Sequence, residues 1–123
     1  MKNLSPHEAF ELCKNGAVII DVREEYMGYY KCFDAKNVMY CPLSKMIAED
    51  IDFPDSELLI FADSVGLHSK EAVEFLAENG YRNIANLIGG IVEWERDGLP
   101  LLVDKAQELN GACPCQLRTH KRE

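Results

Sequence analysis

The chain has 123 residues, 47% apolar and 28% charged, which suits one globular domain that buries about two-thirds of its unfolded surface and excludes a disordered or fibrous protein. No apolar run approaches the length of a helical membrane span, so no membrane partner is expected. The 13 basic and 21 acidic side chains give a net charge of −8, and residues 1–117, with 10 basic and 20 acidic groups, carry −10. A field of that sign repels phosphate backbones, so nucleic acid is excluded as a partner despite Arg118, His120, Lys121 and Arg122 near the carboxyl end.

The opening MKNLSPHEAF has one Lys and no apolar core of signal-peptide length, which predicts a cytoplasmic protein. Ser5-Pro6-His7-Glu8 starts a helix: Ser caps, Pro occupies the first turn, Glu stands three residues on and Leu4 precedes as a staple. Ala9, Phe10, Leu12 and Cys13 form its inner face, and Asn15-Gly16 stops it. Ala17 to Ile20 is a short apolar strand. The charged stretch Asp21-Val22-Arg23-Glu24-Glu25 lies at its carboxyl edge, where ligand sites of α/β sheets gather; a plain surface ion pair is the structural alternative.

Tyr26 to Lys36 has no clean period and reads as a broken helical turn followed by a loop, with Tyr26, Tyr29 and Tyr30 as packing groups. Asn37 to Cys41 is a second strand, ended by Pro42-Leu43-Ser44 before a short helix, Lys45 to Glu49. Asp50 to Ser56 is an acidic turn. Leu58 to Ala62 is a continuous apolar run, the pattern of a parallel strand buried on both faces. Ala72, Val73, Phe75, Leu76 and Ala77 then recur at helical spacing up to Asn79-Gly80. Ile84 to Leu87 is another strand, followed by Gly89-Gly90, a helix Ile91 to Arg96 anchored by Trp94, and a Gly98-Leu99-Pro100 closure. Strands alternating with helices at this spacing predict a parallel sheet covered on both faces.

The six residues from Asp63 to His68 join a strand's carboxyl end to a helix's amino end. Unpaired N–H groups and the positive end of the helix dipole converge there, which makes such a loop a cradle for an anion. Asp63 stands first in it, and His68 is placed to pair with Asp63 across the loop or to sit simply on the surface. Acids at two strand ends, Asp21 and Asp63, also admit a receiver-like phospho-acceptor domain, which uses a later strand-end Lys. Here Asn86-Leu87-Ile88-Gly89-Gly90 fills that place.

Asp21-Val22-Arg23-Glu24, Pro42-Leu43-Ser44, the loop ending in His68-Ser69, and above all the run from Asn86 through Gly89-Gly90 and Trp94 to Gly98-Leu99-Pro100 resemble a single rhodanese-like domain over roughly Leu4 to Pro100. The resemblance implies an α/β, three-layer fold with about five parallel strands flanked by helices. The domain would span residues 1–103, leaving 104–123 as a tail with Cys-Pro-Cys. The resemblance also implies sulfur transfer in the cradle, where family members carry a Cys thiolate that takes up sulfur as a persulfide, stabilised by surrounding N–H groups.

At the matching place this chain has Asp63, followed by Ser64, Val65, Gly66, Leu67, His68 and Ser69, with Asp21 and Arg23 at the site edge. A carboxylate forms no persulfide, but it can accept the loop's own N–H bonds and fill the cradle as a fixed anion. The expected function is therefore a non-catalytic binding or regulatory module linked to sulfur metabolism, as a monomer or weak homodimer with a protein partner or sulfur carrier and no cofactor. The segment from Lys31 to Pro42 is longer than the family usually has there, which bears on the rim of the site.

Five cysteines at irregular spacing are expected to be mostly free thiols, with Cys13 in the core. An alternative function is sulfur transfer or persulfide carriage on a non-standard thiol, Cys113, Cys115 or Cys32, with Cys41 also near the site edge. Cys113, Cys115 and His120 could together hold a metal, but three ligands at non-standard spacing are weak grounds, and no metal is expected.

Overall fold

The computed structural model describes residues 2–24, 31–49, 51–53 and 56–103. In chain order its elements are β1 (Asn3–Leu4), α1 (Pro6–Lys14), β2 (Val18–Asp21), β3 (Lys31–Phe33), β4 (Val38–Tyr40), α2 (Leu43–Glu49), β5 (Leu59–Ala62), α3 (Leu67–Glu78), β6 (Ile84–Leu87), α4 (Gly90–Arg96) and β7 (Leu101–Val103). Five of the strands form one sheet in the order β1-β6-β5-β2-β4, with every pairing parallel. That order differs from the 2-1-3-4-5 order of receiver-type sheets, so the phospho-acceptor alternative falls. None of the described helices is long and apolar enough to cross a membrane.

The capping box predicted for α1 is formed. Ser5 Oγ accepts the Glu8 amide at 3.2 Å and Glu8 Oε1 accepts the Ser5 amide at 2.9 Å; the Ser5 amide, and after it the Ser5 hydroxyl, hold the Glu8 carboxyl below its ordinary pKa. The apolar run of β5 divides by alternation. Ile60 and Ala62 face one cluster with Ala9, Cys13, Leu87, Ile91 and Trp94, beneath α1 and α4. Leu59 and Phe61 face the other, with Met46, Ala72, Val73 and Leu76, beneath α2 and α3. Both faces are thus covered, which is why no polar residue interrupts the strand.

Trp94 is fully buried and meets Phe10 and Phe33 edge to face, with ring centroids 5.7 and 5.1 Å away, while its indole N–H donates to the Pro100 carbonyl at 2.7 Å. It anchors α4 to α1 and to the chain reversal after Gly98. The aperiodic segment read as turn and loop departs from expectation over its described part. Lys31–Phe33 is a strand, paired antiparallel with β7 in a separate two-stranded ribbon. Lys31 Nζ ties this ribbon to α4 through both carboxylate oxygens of Glu95, each at 3.0 Å. Tyr26, Tyr29 and Tyr30 lie outside the described residues.

Candidate functional site

The loop between β5 and α3 is shorter than the sequence suggested, because α3 already begins at Leu67, so that His68 belongs to its first turn. Asp63 follows β5 directly and is 3% exposed. Its Oδ1 accepts the Gly66 amide at 2.5 Å and its Oδ2 accepts the His68 amide at 2.9 Å. Gly66 itself has no side chain with which to cap α3, so the carboxylate three residues upstream satisfies the amides that this helix start leaves open. The positive end of a 12-residue helix favours the same charge.

A second set of contacts extends the site inward. Ser69 Oγ lies 3.3 Å from Asp63 Oδ1 and 2.5 Å from Asn86 Oδ1, and Asn86 Nδ2 donates to Asn3 Oδ1 at 3.2 Å. A serine hydroxyl carries one proton, and the shorter contact to Asn86 takes it. Asp63 is thereby connected to β6 and, through Asn3, to the edge strand β1. Sequence reasoning missed Asn86 and Asn3 as parts of the site; a polar residue inside the otherwise apolar β6 was the available signal. His68 Nδ1 is 3.9 Å from Asp63 Oδ2 on a half-exposed side chain, so the pairing expected across the loop is present as a long contact that becomes an ion pair when the imidazole is protonated.

The far wall of the loop is backbone. The Ile91 amide donates to the Asp63 carbonyl at 2.9 Å and the Val92 amide to the Ser64 carbonyl at 3.1 Å. This close approach requires glycine at position 90, where φ is +58° and a Cβ would stand 2.4 Å from the Asp63 carbonyl oxygen and 2.5 Å from the Ser64 carbonyl carbon. Gly66, at φ +96°, turns the chain where a Cβ would come 3.2 Å from the Gly89 nitrogen. The Gly pair that marked the sequence is thus the seat on which the cradle rests.

Asp21 and Arg23 are not the surface ion pair considered as the structural alternative. Both are buried, and Arg23 grips the Asp21 carboxylate through Nε at 3.0 Å and Nη2 at 2.7 Å while Nη2 also donates to the Lys31 carbonyl at 2.9 Å. Since Asp21 pairs in register with Ala62, the residue before Asp63, this ion pair forms the wall beside the cradle and links it to the β3–β7 ribbon. Glu24 turns away to bind Ser44 through its amide and hydroxyl, at 2.9 and 2.7 Å.

Of the thiols, Cys13 and Cys41 are free and buried. Burial pushes Cys13 up to about 11, and it also raises Cys41, against a smaller lowering by Lys45. Cys32 is buried on β3, packed against Tyr40 and Leu102. Cys113, Cys115 and His120 lie outside the described residues, and among the described residues no cluster of three or more His, Cys, Asp or Glu could hold a metal ion. A surface cavity of about 700 Å³ lined by Val73, Ala77, Arg82 and Ile84 opens at the amino-terminal edge of the sheet, away from the cradle.

The description "Rhodanese-like domain" matches residues 5–97. The chain belongs to the rhodanese-like domain family. Thiosulfate sulfurtransferase GlpE of Haemophilus influenzae is 29% identical over 104 residues, covering 81% of this chain and 93% of that protein. The protein of the same name from Actinobacillus succinogenes is 32% identical over 103 residues, covering 80% and 87%. The fold is shared with a rhodanese-related protein from Thermoplasma volcanium, at a TM-score of 0.71 and 24% identity over 85% of this chain and all of that one. Its relatives are thus single-domain rhodanese-like proteins of matching extent, and the five-stranded parallel sheet predicted from the resemblance is the family's sheet.

Proposed function

We propose that this rhodanese-like domain is a binding or regulatory module linked to sulfur metabolism, whose anion cradle is closed by its own carboxylate and performs no sulfur transfer. One observation carries the reading: Asp63 accepts the Gly66 and His68 amides from within the loop. Those are the donors that would otherwise meet an incoming anion, and the fixed negative charge repels thiosulfate. Sulfane transfer through the loop further needs a thiolate, which neither Asp63 nor any residue through Ser69 supplies.

Around the closed cradle stand exposed apolar side chains, Val65 and Leu67 on the loop and helix start, Ile88 after β6 and Val92 on α4. They offer a surface to a protein partner or sulfur carrier rather than a cleft to a small anion. We assign the module to residues 1–103, with 104–123 as a tail beyond it.

Thiosulfate-to-cyanide transfer tests the reading. The wild-type protein and Asp63→Ala are both expected to show no turnover above buffer, and Asp63→Cys is expected to gain one sulfur by mass spectrometry after exposure to thiosulfate. Turnover in the wild-type protein that survives Asp63→Ala and disappears on substitution of another cysteine overturns it in favour of a non-standard thiol.

A further inference from the structure

The edge strand β1 pairs with β6 only at Asn3 and Leu4, so the flank of α3 and the start of β6 stand open beside it. A cavity of about 700 Å³ lies there, a volume typical of small-molecule sites. Val73, Ala77 and Ile84 give it an apolar lining, while its rim carries charge of both signs. Lys2, ahead of β1, and Arg82, ahead of β6, supply two cations; Glu74 and Glu78, both on α3, supply two carboxylates. Among the described residues no ion pair joins either cation to either carboxylate, although Lys14 and Glu11, Lys31 and Glu95, and Arg96 and Glu93 each pair elsewhere on the surface at 3.0 Å. The rim is thus divided, negative along the helix and positive at the strand entries.

The negative side works against its own helix. Glu74 and Glu78 stand four residues apart on one face, Glu78 is the last residue of α3, and no basic residue occupies that last turn. Like charges at this spacing repel, and a carboxylate at the negative end of a helix dipole is unfavourable. A cation placed against the two carboxylates relieves both effects.

We propose that this cavity binds a short peptide of two or three residues by its two charged ends. The ammonium group meets Glu74 and Glu78, the carboxylate meets Arg82 and Lys2, and an aliphatic side chain covers Val73, Ala77 and Ile84. Arg82 suits the carboxylate end because a guanidinium can grip both of its oxygens. A free amino acid carries both charges on one carbon and does not reach the two sides together, whereas two or three extended residues span about 7–11 Å. The 12-residue helix α3 starts at the cradle and ends at this cavity, about 18 Å away along its axis. Occupancy of the cavity is therefore independent of whether Asp63 closes the cradle.

A nuclear magnetic resonance titration of the full chain with alanyl-leucyl-alanine tests the proposal. The expected result is saturable shifts of the Val73, Ala77 and Ile84 amides at millimolar peptide or below, with the Gly66 amide unmoved and no competition from thiosulfate. Acetylation of the peptide's amino end and amidation of its carboxyl end should each weaken binding about two- to five-fold, the range of exposed ion pairs. Glu78→Gln should weaken the free peptide but not its acetylated form, and Arg82→Gln the free peptide but not its amide; both positions are exposed, so both variants keep the fold. Absence of saturable shifts, equal binding of the doubly blocked peptide or of free leucine, variants that weaken every form alike, or shifts centred on the Gly66 and His68 amides overturns it.

Discussion

Asp63 Oδ2 accepts the backbone amide of His68 at 2.9 Å, so the residue that begins the cradle is also the residue that caps the helix leaving it. Its removal should therefore be felt in stability as well as chemistry. Asp63→Ala leaves the Gly66 and His68 amides without their acceptor and is expected to cost about 1–3 kcal/mol, with Asp63→Asn costing less because its amide oxygen still accepts one bond. Urea denaturation followed by Trp94 fluorescence measures both. Equal stability of Asp63→Ala and the wild-type protein would mean that the carboxylate is not the cap described.

Gly90 should tolerate no side chain. Alanine there would drive its Cβ to 2.4 Å from the Asp63 carbonyl oxygen, which is backbone and cannot swing aside, and would also occupy a left-handed conformation at φ +58°. The two effects together predict a loss of at least about 2 kcal/mol. Slowed Ile91 and Val92 amide exchange in the wild-type protein, lost in Gly90→Ala, would show that the damage is local to the cradle.

Trp94 links α1, α4 and β3, and truncation to alanine is expected to cost about 3–5 kcal/mol. Trp94→Phe keeps an aromatic face against Phe10 and Phe33 but loses the bond to the Pro100 carbonyl, so a smaller loss, about 1 kcal/mol, is expected. Thermal melts by circular dichroism separate the two, and near-equal losses would show that the hydrogen bond, not the ring, is the anchor.

Cys13 gives a pH dependence with a defined sign. Burial raises its thiol from an ordinary 9.0 to about 11, so the folded state favours the neutral form. Its contribution is fully present below pH 9, is lost progressively as the pH rises toward 11, and is constant above that. Stability measured across this window should fall less steeply in Cys13→Ala than in the wild-type protein; parallel curves would remove the assigned cause. The same burial predicts slow alkylation of Cys13 in the native state.

Much of this molecule was legible in its residues because the signals are local. The capping box Ser5-Pro6-His7-Glu8, the buried run Leu58 to Ala62, the helical spacing from Ala72 to Ala77 and the strand Ile84 to Leu87 each reflect constraints within a few residues, and each became the predicted element to within a residue or two at most ends. Asp63 at the start of the cradle, and the family to which the Gly pair and Trp94 point, were readable for the same reason.

Tertiary structure decided what depends on partners distant in the chain. The strands Asn3–Leu4, Lys31–Phe33 and Leu101–Val103 are too short to show a period and exist because Asn86 and Leu87, or each other, supply their hydrogen-bond partners. Asp21 and Arg23 read as charges at an edge until the ribbon brought the Lys31 carbonyl over Arg23 and buried the pair. Sequence established that Asp63 is a carboxylate in a cradle. Only the fold turned it inward, because the amides of Gly66 and His68 converge there and a buried charge is retained only where donors surround it.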